Sequence, residues 1–188
     1  MSKAESILYP TPSGLYCEPG GFYIDPHLPV DKALITHAHS DHARSGHGAV
    51  LASQETCDVM KIRLGADSAG HYQAATIGQA IDVNGVSVRF MPAGHVLGSC
   101  QIVVECHGMR ICISGDYTRR HDPTCASFEP VQSDVFVTEA TFGLPVFVHP
   151  DANGEIAKLL ESLRSNPESD HFVGAYSLGK AQRIIRIL

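Results

Sequence analysis

No apolar run in the 188 residues approaches the length of a bilayer span, so a membrane-embedded protein is not expected. The N-terminus, Met-Ser-Lys-Ala-Glu, carries no apolar segment of the kind that opens a secretory leader. Six cysteines occur, Cys17, Cys57, Cys100, Cys106, Cys112 and Cys125, but none forms a C-x-x-C pair. That pattern argues against a disulfide scaffold and for a reduced, cytoplasmic protein. Cys100, Cys106 and Cys112 fall on or beside expected strands and read as small buried apolar residues rather than a structural zinc site. Positive charge is scarce as well. The formal net charge of -6 excludes a broad basic footprint for nucleic acid, so contacts to phosphate would have to come from local groups. No internal repeat, low-complexity tract or obvious flexible linker interrupts the chain.

With 44% hydrophobic residues at this length the chain can bury a core, and one domain plus a fragment is the expected count. Short strands dominate the first two thirds: 21–24, 33–36, 49–52, 86–91, 101–106, 110–113 and 134–138 all read as extended. Asn84-Gly85 marks a hairpin turn and His107-Gly108 a weaker one. A helix is expected from Ser53, as N-cap, to Leu64, with Gly65 ending it. A second should span Gly154 to Ser165, where Ile156, Leu159, Leu160 and Leu163 recur at helical spacing as a packing stripe. Gly143-Leu-Pro145 and the segment from His149 to Gly154 mark a domain junction.

The chemistry concentrates in Thr36-His-Ala-His-Ser-Asp-His-Ala43. His37, His39, Asp41 and His42 place three imidazoles and a carboxylate within six positions. Neutral imidazole suits zinc at about 2.0–2.1 Å, and carboxylates suit zinc or manganese. The strand before the cluster is expected to run on through it, so that His37 and His39 point to one side and grip one ion. Asp41 and His42 would then fall where the chain turns into a helix, diverging toward a second ion. The alternative, a polar loop that happens to be rich in histidine, explains this density poorly. Two further segments supply what the cluster lacks. Pro92-Ala-Gly-His95-Val-Leu-Gly-Ser99 and Ile111-Cys-Ile-Ser-Gly-Asp116 each follow a strand and put a ligand-type residue on a Gly-flanked loop. Either alone would more often be a turn. In this order His95 completes a three-imidazole set and Asp116 bridges to the other ion.

The succession H-x-H-x-D-H, A-G-H-x-x-G-S and S-G-D resembles the metallo-β-lactamase superfamily at His37, His39, Asp41, His42, His95 and Asp116. Val137-Thr-Glu139-Ala-Thr-Phe142 is similar to the acidic motif that opens the β-CASP nucleic-acid-processing enzymes. Ser177-Leu-Gly-Lys180-Ala-Gln182-Arg183 is similar to a helix start found later in them. Over nearly its whole length, including 14–21 and 119–125, the chain most closely resembles the bacterial ligase-associated DNA exonucleases.

That resemblance implies an α/β fold, the αββα sandwich of the superfamily. It would be incomplete here, with residues 1–144 as its N-terminal part and 145–188 as the start of a β-CASP insert. In the family the chain returns after the insert with further histidines. Because this chain stops at Leu188, it is expected to be the N-terminal part of a longer enzyme. Two divalent ions are implied, zinc first and manganese as the alternative. His37, His39 and His95 would hold one, and Asp41, His42 and the shared Asp116 the other, with the second position incomplete in this chain. Asp41, Asp116 and Glu139 would be catalytic, Glu139 by orienting a proton-transfer histidine or bonding a metal ligand; a simple helix-start role for Glu139 is the alternative. Lys180 and Arg183 would contact substrate, Lys180 because helix-start amides also favour anions. Arg119, Arg120 and Arg186 are weaker candidates, and His149 and His171 match no motif.

The implied reaction is metal-assisted phosphodiester hydrolysis. Its implied partners are nucleic acid, DNA before RNA, and an ATP-dependent DNA ligase. Three readings compete: a DNA exonuclease of repair, an RNA-processing nuclease of the β-CASP type, and a catalytically silent metal-binding fragment. Hydrolysis of a small substrate, known in other branches, fits Thr138-Glu-Ala-Thr-Phe142 less well.

Overall fold

A computed structural model describes residues 2–188. In chain order the elements are β1 (Leu8–Thr11), β2 (Gly14–Cys17), β3 (Phe22–Ile24), β4 (Lys32–Leu34), β5 (His47–Ser53), α1 (Gln54–Leu64) and β6 (Ala69–Ala75). They continue with β7 (Ala80–Val83), β8 (Val86–Pro92), β9 (Cys100–Cys106), β10 (Met109–Ile113), β11 (Val135–Val137), α2 (Ala152–Ser165) and α3 (Lys180–Ile187). Contacts divide the chain into two units, one ending at Glu139 and one running Ala140–Leu188.

The first unit is two mixed sheets, as the α/β sandwich reading expects. One runs β1-β2-β3-β4-β5-β6, antiparallel up to β3 and parallel from β3 to β6. The other runs β11-β10-β9-β8-β7, antiparallel except for the β10–β11 pair. Period-two alternation sets the inner faces. In β8 every second residue, Val86, Val88, Phe90 and Pro92, is buried. Val86, Val88 and Phe90 meet Phe22, Ile24, Leu34 and Leu51 of the first sheet and Ile102, Val104 and Ile111 of their own in one core cluster. Each fully buried large side chain such as Phe22 or Phe90 contributes about 1.5–3 kcal/mol. On the opposite face Tyr9, Tyr16 and Tyr23 stand in register across β1, β2 and β3, with ring centroids 5.8 and 4.6 Å apart. Such cross-strand aromatic pairs add about 0.2–1 kcal/mol each.

Turn chemistry joins the strands as expected. Asn84 and Gly85 both take positive φ, 55° and 81°, as a two-residue hairpin between twisted strands requires. His107 and Gly108 repeat this, at 51° and 69°, between β9 and β10. Helix α1 starts at its predicted cap, where the Ser53 hydroxyl accepts from the Thr56 N–H at 3.1 Å, and ends at Gly65. It packs on β5 and β6 and is the one helix of the first unit among the described residues.

Four strands lie outside the expected set, β1, β2, β6 and β7. All are at or near sheet edges, where one face is solvated and the apolar signal is thin. Leu-Tyr-Pro-Thr contains a proline, which an edge tolerates, and Ala69–Ala75 is rich in residues of low strand propensity.

In the second unit α2 is capped by Asp151, whose carboxylate accepts from the Gly154 N–H at 2.9 Å. The Gly179 N–H donates to the Gln182 side chain at 2.7 Å, opening α3. Neither helix buries a residue fully, and the α2 stripe is half-buried at Ile156, Leu159 and Leu160. No helix among the described residues is long and apolar enough to cross a membrane.

Candidate metal centre

Beyond β4 the chain leaves the sheet. The expected continuous strand through the histidines is therefore corrected: extended pairing stops at Leu34, apart from an Ile35 N–H bond to Leu51 O of 3.0 Å. His37 and His39 ride on a loop, and Asp41 and His42 on a single turn closed by His42 and Ala43 N–H bonds to His39 O at 3.2 and 2.8 Å. No helix follows. The loop owes its shape to contact with the Asp116 loop: a Cβ at Gly115, φ 54°, would stand 2.7 Å from the Thr36 side chain. His95 is presented by a tight turn in which the Ser99 hydroxyl accepts from the His95 and Val96 N–H groups at 3.0 and 3.1 Å.

These loops bring three ring nitrogens to one point. His37 Nε2 lies 3.0 Å from His39 Nδ1, and His95 Nε2 lies 3.2 Å from the same nitrogen. Asp116 Oδ2 is 3.9 Å from His37 Nε2 and 3.6 Å from His95 Nε2, and the four ligand atoms all lie within 4.8 Å of one another. Four atoms held tetrahedrally at about 2.0–2.1 Å from zinc would be roughly 3.3 Å apart. The two contacts of His39 Nδ1, at 3.0 and 3.2 Å, match that edge, while Asp116 stands off at 3.6 and 3.9 Å. One nitrogen, His39 Nδ1, cannot share protons with two imidazoles at once, so converging lone pairs answer best to a cation. The first half of the centre thus suits zinc.

Asp116 Oδ1 faces the other way, 3.3 Å from His42 Nε2, which lies 3.8 Å from Asp41 Oδ2. This second group is looser, and the Asp41 side chain is 74% exposed. Asp116 thus turns one carboxylate oxygen toward each group.

Asp25 was not anticipated from the sequence, yet it organises both halves. It sits just past β3 with φ 44°. Its Oδ1 accepts from the Thr36 N–H at 2.8 Å. Its Oδ2 accepts from the Thr36 hydroxyl at 2.6 Å and faces His42 Nδ1 at 2.8 Å. A carboxylate only accepts, so His42 must carry its proton on Nδ1, leaving Nε2 for the ion. Because the Thr36 hydroxyl proton goes to Asp25, its oxygen accepts from His37 Nδ1 at 3.1 Å, freeing His37 Nε2 in turn. The available signal was a carboxylate at the end of Phe-Tyr-Ile, masked because Asp-Pro reads as a turn.

Charge follows geometry. Burial, then the neighbouring His42 and His95, depress His37 to about 2. Burial lowers His95 too, against the opposing charges of Asp116 and Glu139. For His42 burial also disfavours charge, but hydrogen bonds to Asp116 and Asp25 overcome it and raise the ring to about 10. The hydrogen bond from His42 holds Asp116 down at about 2.

The Glu139 N–H donates to the Ser114 hydroxyl at 3.4 Å, which places Glu139 beside the Asp116 loop. Lys180 and Arg183 lie on α3 of the second unit, where the Lys180 ammonium stands 5.2 Å from the Tyr176 ring centroid. Also in that unit, the His149 and Phe142 rings meet edge to face and His171 bonds Ser162 at 2.9 Å.

A sequence model described as the metallo-beta-lactamase superfamily matches residues 25–168. Among curated proteins, the chain is 30% identical to a probable DNA ligase of Opitutus terrae, over 92% of this chain and 17% of that protein. It is 31% identical to endoribonuclease YSH1 of Gibberella zeae, over 96% of this chain and 26% of that protein. A third relative is cleavage and polyadenylation specificity factor subunit 3-I of Arabidopsis thaliana, 27% identical over 96% of this chain and 30% of that protein. The chain therefore spans less than a third of the length of these relatives. A crystal structure of a protein of unknown function from Enterococcus faecalis V583 matches with a TM-score of 0.52 at 14% identity, covering 83% of this chain and 44% of that one. At that identity it speaks to the fold alone.

Proposed function

The chain belongs to the metallo-beta-lactamase superfamily, and we propose that within it this protein supplies the metal-binding part of a nuclease that trims DNA ends during repair. The observation that carries the reading is the convergence of His37 Nε2, His39 Nδ1 and His95 Nε2, with Asp116 turned to both halves of the centre. Zinc, or manganese as the alternative, would polarise a phosphodiester and activate water when bound. His37, His39 and His95 would hold one ion, and Asp41, His42 and Asp116 would hold the second, with Asp116 shared. Asp25 holds His42 and, through Thr36, His37 in the tautomers that ligation needs. Glu139 acts next to His95 as a proton-positioning carboxylate. Residues 145–188 would begin a β-CASP domain in which Lys180 and Arg183 meet phosphate.

Nucleic acid as substrate is supported by relatives named as an endoribonuclease and as a cleavage and polyadenylation factor subunit. DNA is favoured because 92% of the chain aligns with part of a protein named as a probable DNA ligase; an ATP-dependent DNA ligase would then be the partner, in a cytoplasmic repair setting. The endoribonuclease relatives favour the second reading, RNA processing. Zinc-loaded protein given end-labelled DNA and RNA of one sequence separates the two. Progressive shortening of DNA, abolished by a chelator, is expected. Preferential loss of RNA transfers the assignment to RNA processing, and zinc binding with no cleavage of either makes the chain a silent metal-binding fragment.

A further inference from the structure

α1 buries only Thr56, Cys57 and Met60. Thr56, Met60 and Arg63 recur at i, i+4 and i+7, a single helical stripe that is fully buried at Thr56 and Met60 and exposed at Arg63. The polar members of the stripe are not spent on the core. At its N-terminal end the Thr56 hydroxyl donates to Gly98 O at 3.0 Å, and the capping Ser53 hydroxyl donates to the same carbonyl at 2.7 Å. Gly98 closes the turn that presents His95. It takes φ 78°, and a Cβ there would stand 2.7 Å from the Thr56 nitrogen, so loop and helix are in direct contact. Two turns on, the Arg63 guanidinium donates to Ala38 O. Ala38 is fully buried and is the residue between the ligands His37 and His39. Long helical side chains lean toward the helix N-terminus, which brings the Arg63 head back along the stripe.

One helix thus touches both histidine-bearing loops, at the peptide separating two ligands and at the turn carrying the third. We infer that α1 is a brace for the three-imidazole site, with Arg63 and Thr56 as positioning residues that set the distance of His95 from the His37–His39 pair. The inference rests on the metal-site reading above. The alternative, that Arg63 merely complements the C-terminal dipole of the helix, applies equally to Lys61 in the same last turn, whose ammonium sits over the Tyr72 ring 5.0 Å away.

The test is zinc affinity of the whole chain, read by competition with a chromophoric chelator, together with thermal melts of the metal-free proteins. Groups that orient metal ligands cost about 10–100-fold in affinity when removed. Arg63→Gln should weaken zinc at least tenfold, and Arg63→Lys, which retains a donor, should recover part of that loss. Thr56→Val, acting on the other loop with Ser53 still bonded to Gly98, should weaken it about threefold. Lys61→Gln should bind as the parent does. Equal affinity in parent, Arg63→Gln and Thr56→Val overturns the brace, as does an equal loss in Lys61→Gln. If Arg63→Gln does not fold, Thr56→Val against Lys61→Gln decides alone. A parent chain that binds no zinc would instead defeat the metal-site reading itself.

Discussion

The two halves of the metal centre are built differently. In one, the imidazoles of His37 and His95, from two loops, close on His39 Nδ1 at 3.0 and 3.2 Å, and His37 is fully buried. In the other, His42 is firmly held by Asp25 at 2.8 Å, but its neighbour Asp41 is 74% exposed and 3.8 Å away. The first half is pre-organised by several independent contacts, so binding an ion there costs little ordering of side chains. The second depends on one outer carboxylate and one exposed aspartate. Unequal affinity is the expected outcome, the three-imidazole position filling first.

The largest effect should come from His39→Ala, which removes the nitrogen that both other imidazoles face. Loss of an outer partner already costs about 10–100-fold in affinity, so loss of this ligand should exceed that range at the first ion. Chelator competition checks it. Zinc binding within tenfold of the parent would show that His39 does not belong to the tight half.

Asp25→Asn sharpens the comparison from the other side. The amide keeps the shape but replaces an accepting oxygen with a donor, so the bonds from Thr36 and His42 cannot all survive. About 10–100-fold weaker binding is expected at the second ion, and a smaller loss at the first, which Asp25 reaches only through Thr36. Titration of stepwise metal uptake reads both. Equal losses at the two positions would mean that the halves act as one unit.

How these residues could be found in the sequence differs in the same way. His37 and His39 are legible because so dense a run of imidazoles and carboxylate has little other explanation, and His95 and Asp116 because they follow that cluster in order; the structure brings all four together. The strand expected to carry the histidines was not real, since a strand needs a neighbour to pair with and the loop beyond Leu34 packs on Gly115 instead. Asp25 was illegible because its role lies in hydrogen bonds to residues 11 and 17 positions away, which no local pattern reports. The fold divides likewise. Val86–Pro92 and the Ser53 cap carry local signals, alternation and an N-terminal hydroxyl, and both were read correctly. The edge strands Ala69–Ala75 and Ala80–Val83 owe their extension to pairing with β5 and β8, so their own composition says little.

The smallest effect concerns protons on the metal-free protein, where His37 and His42 differ in sign. His42 is raised to about 10, burial being outweighed by the hydrogen bonds to Asp116 and Asp25. Its contribution to stability is complete below the unfolded value near 6.5 and is lost as pH rises from there through about 10. His37 is lowered to about 2, first by burial and then by His42 and His95. Below about 6.5 the unfolded chain takes up a proton that the folded chain refuses, so His37 removes stability as pH falls. Asp116, held low at about 2 by the His42 hydrogen bond, adds to the acid limb below the ordinary aspartate value. The melting temperature in chelator should therefore peak near pH 6.5 and fall on both sides, by about 2–4 °C for each kcal/mol lost in a protein of this size. His42→Asn should flatten the alkaline limb. It should also soften the acid limb, because the charge that opposes protonation of His37 is gone. A profile unchanged by that substitution would show that the two rings do not share the field that the geometry gives them.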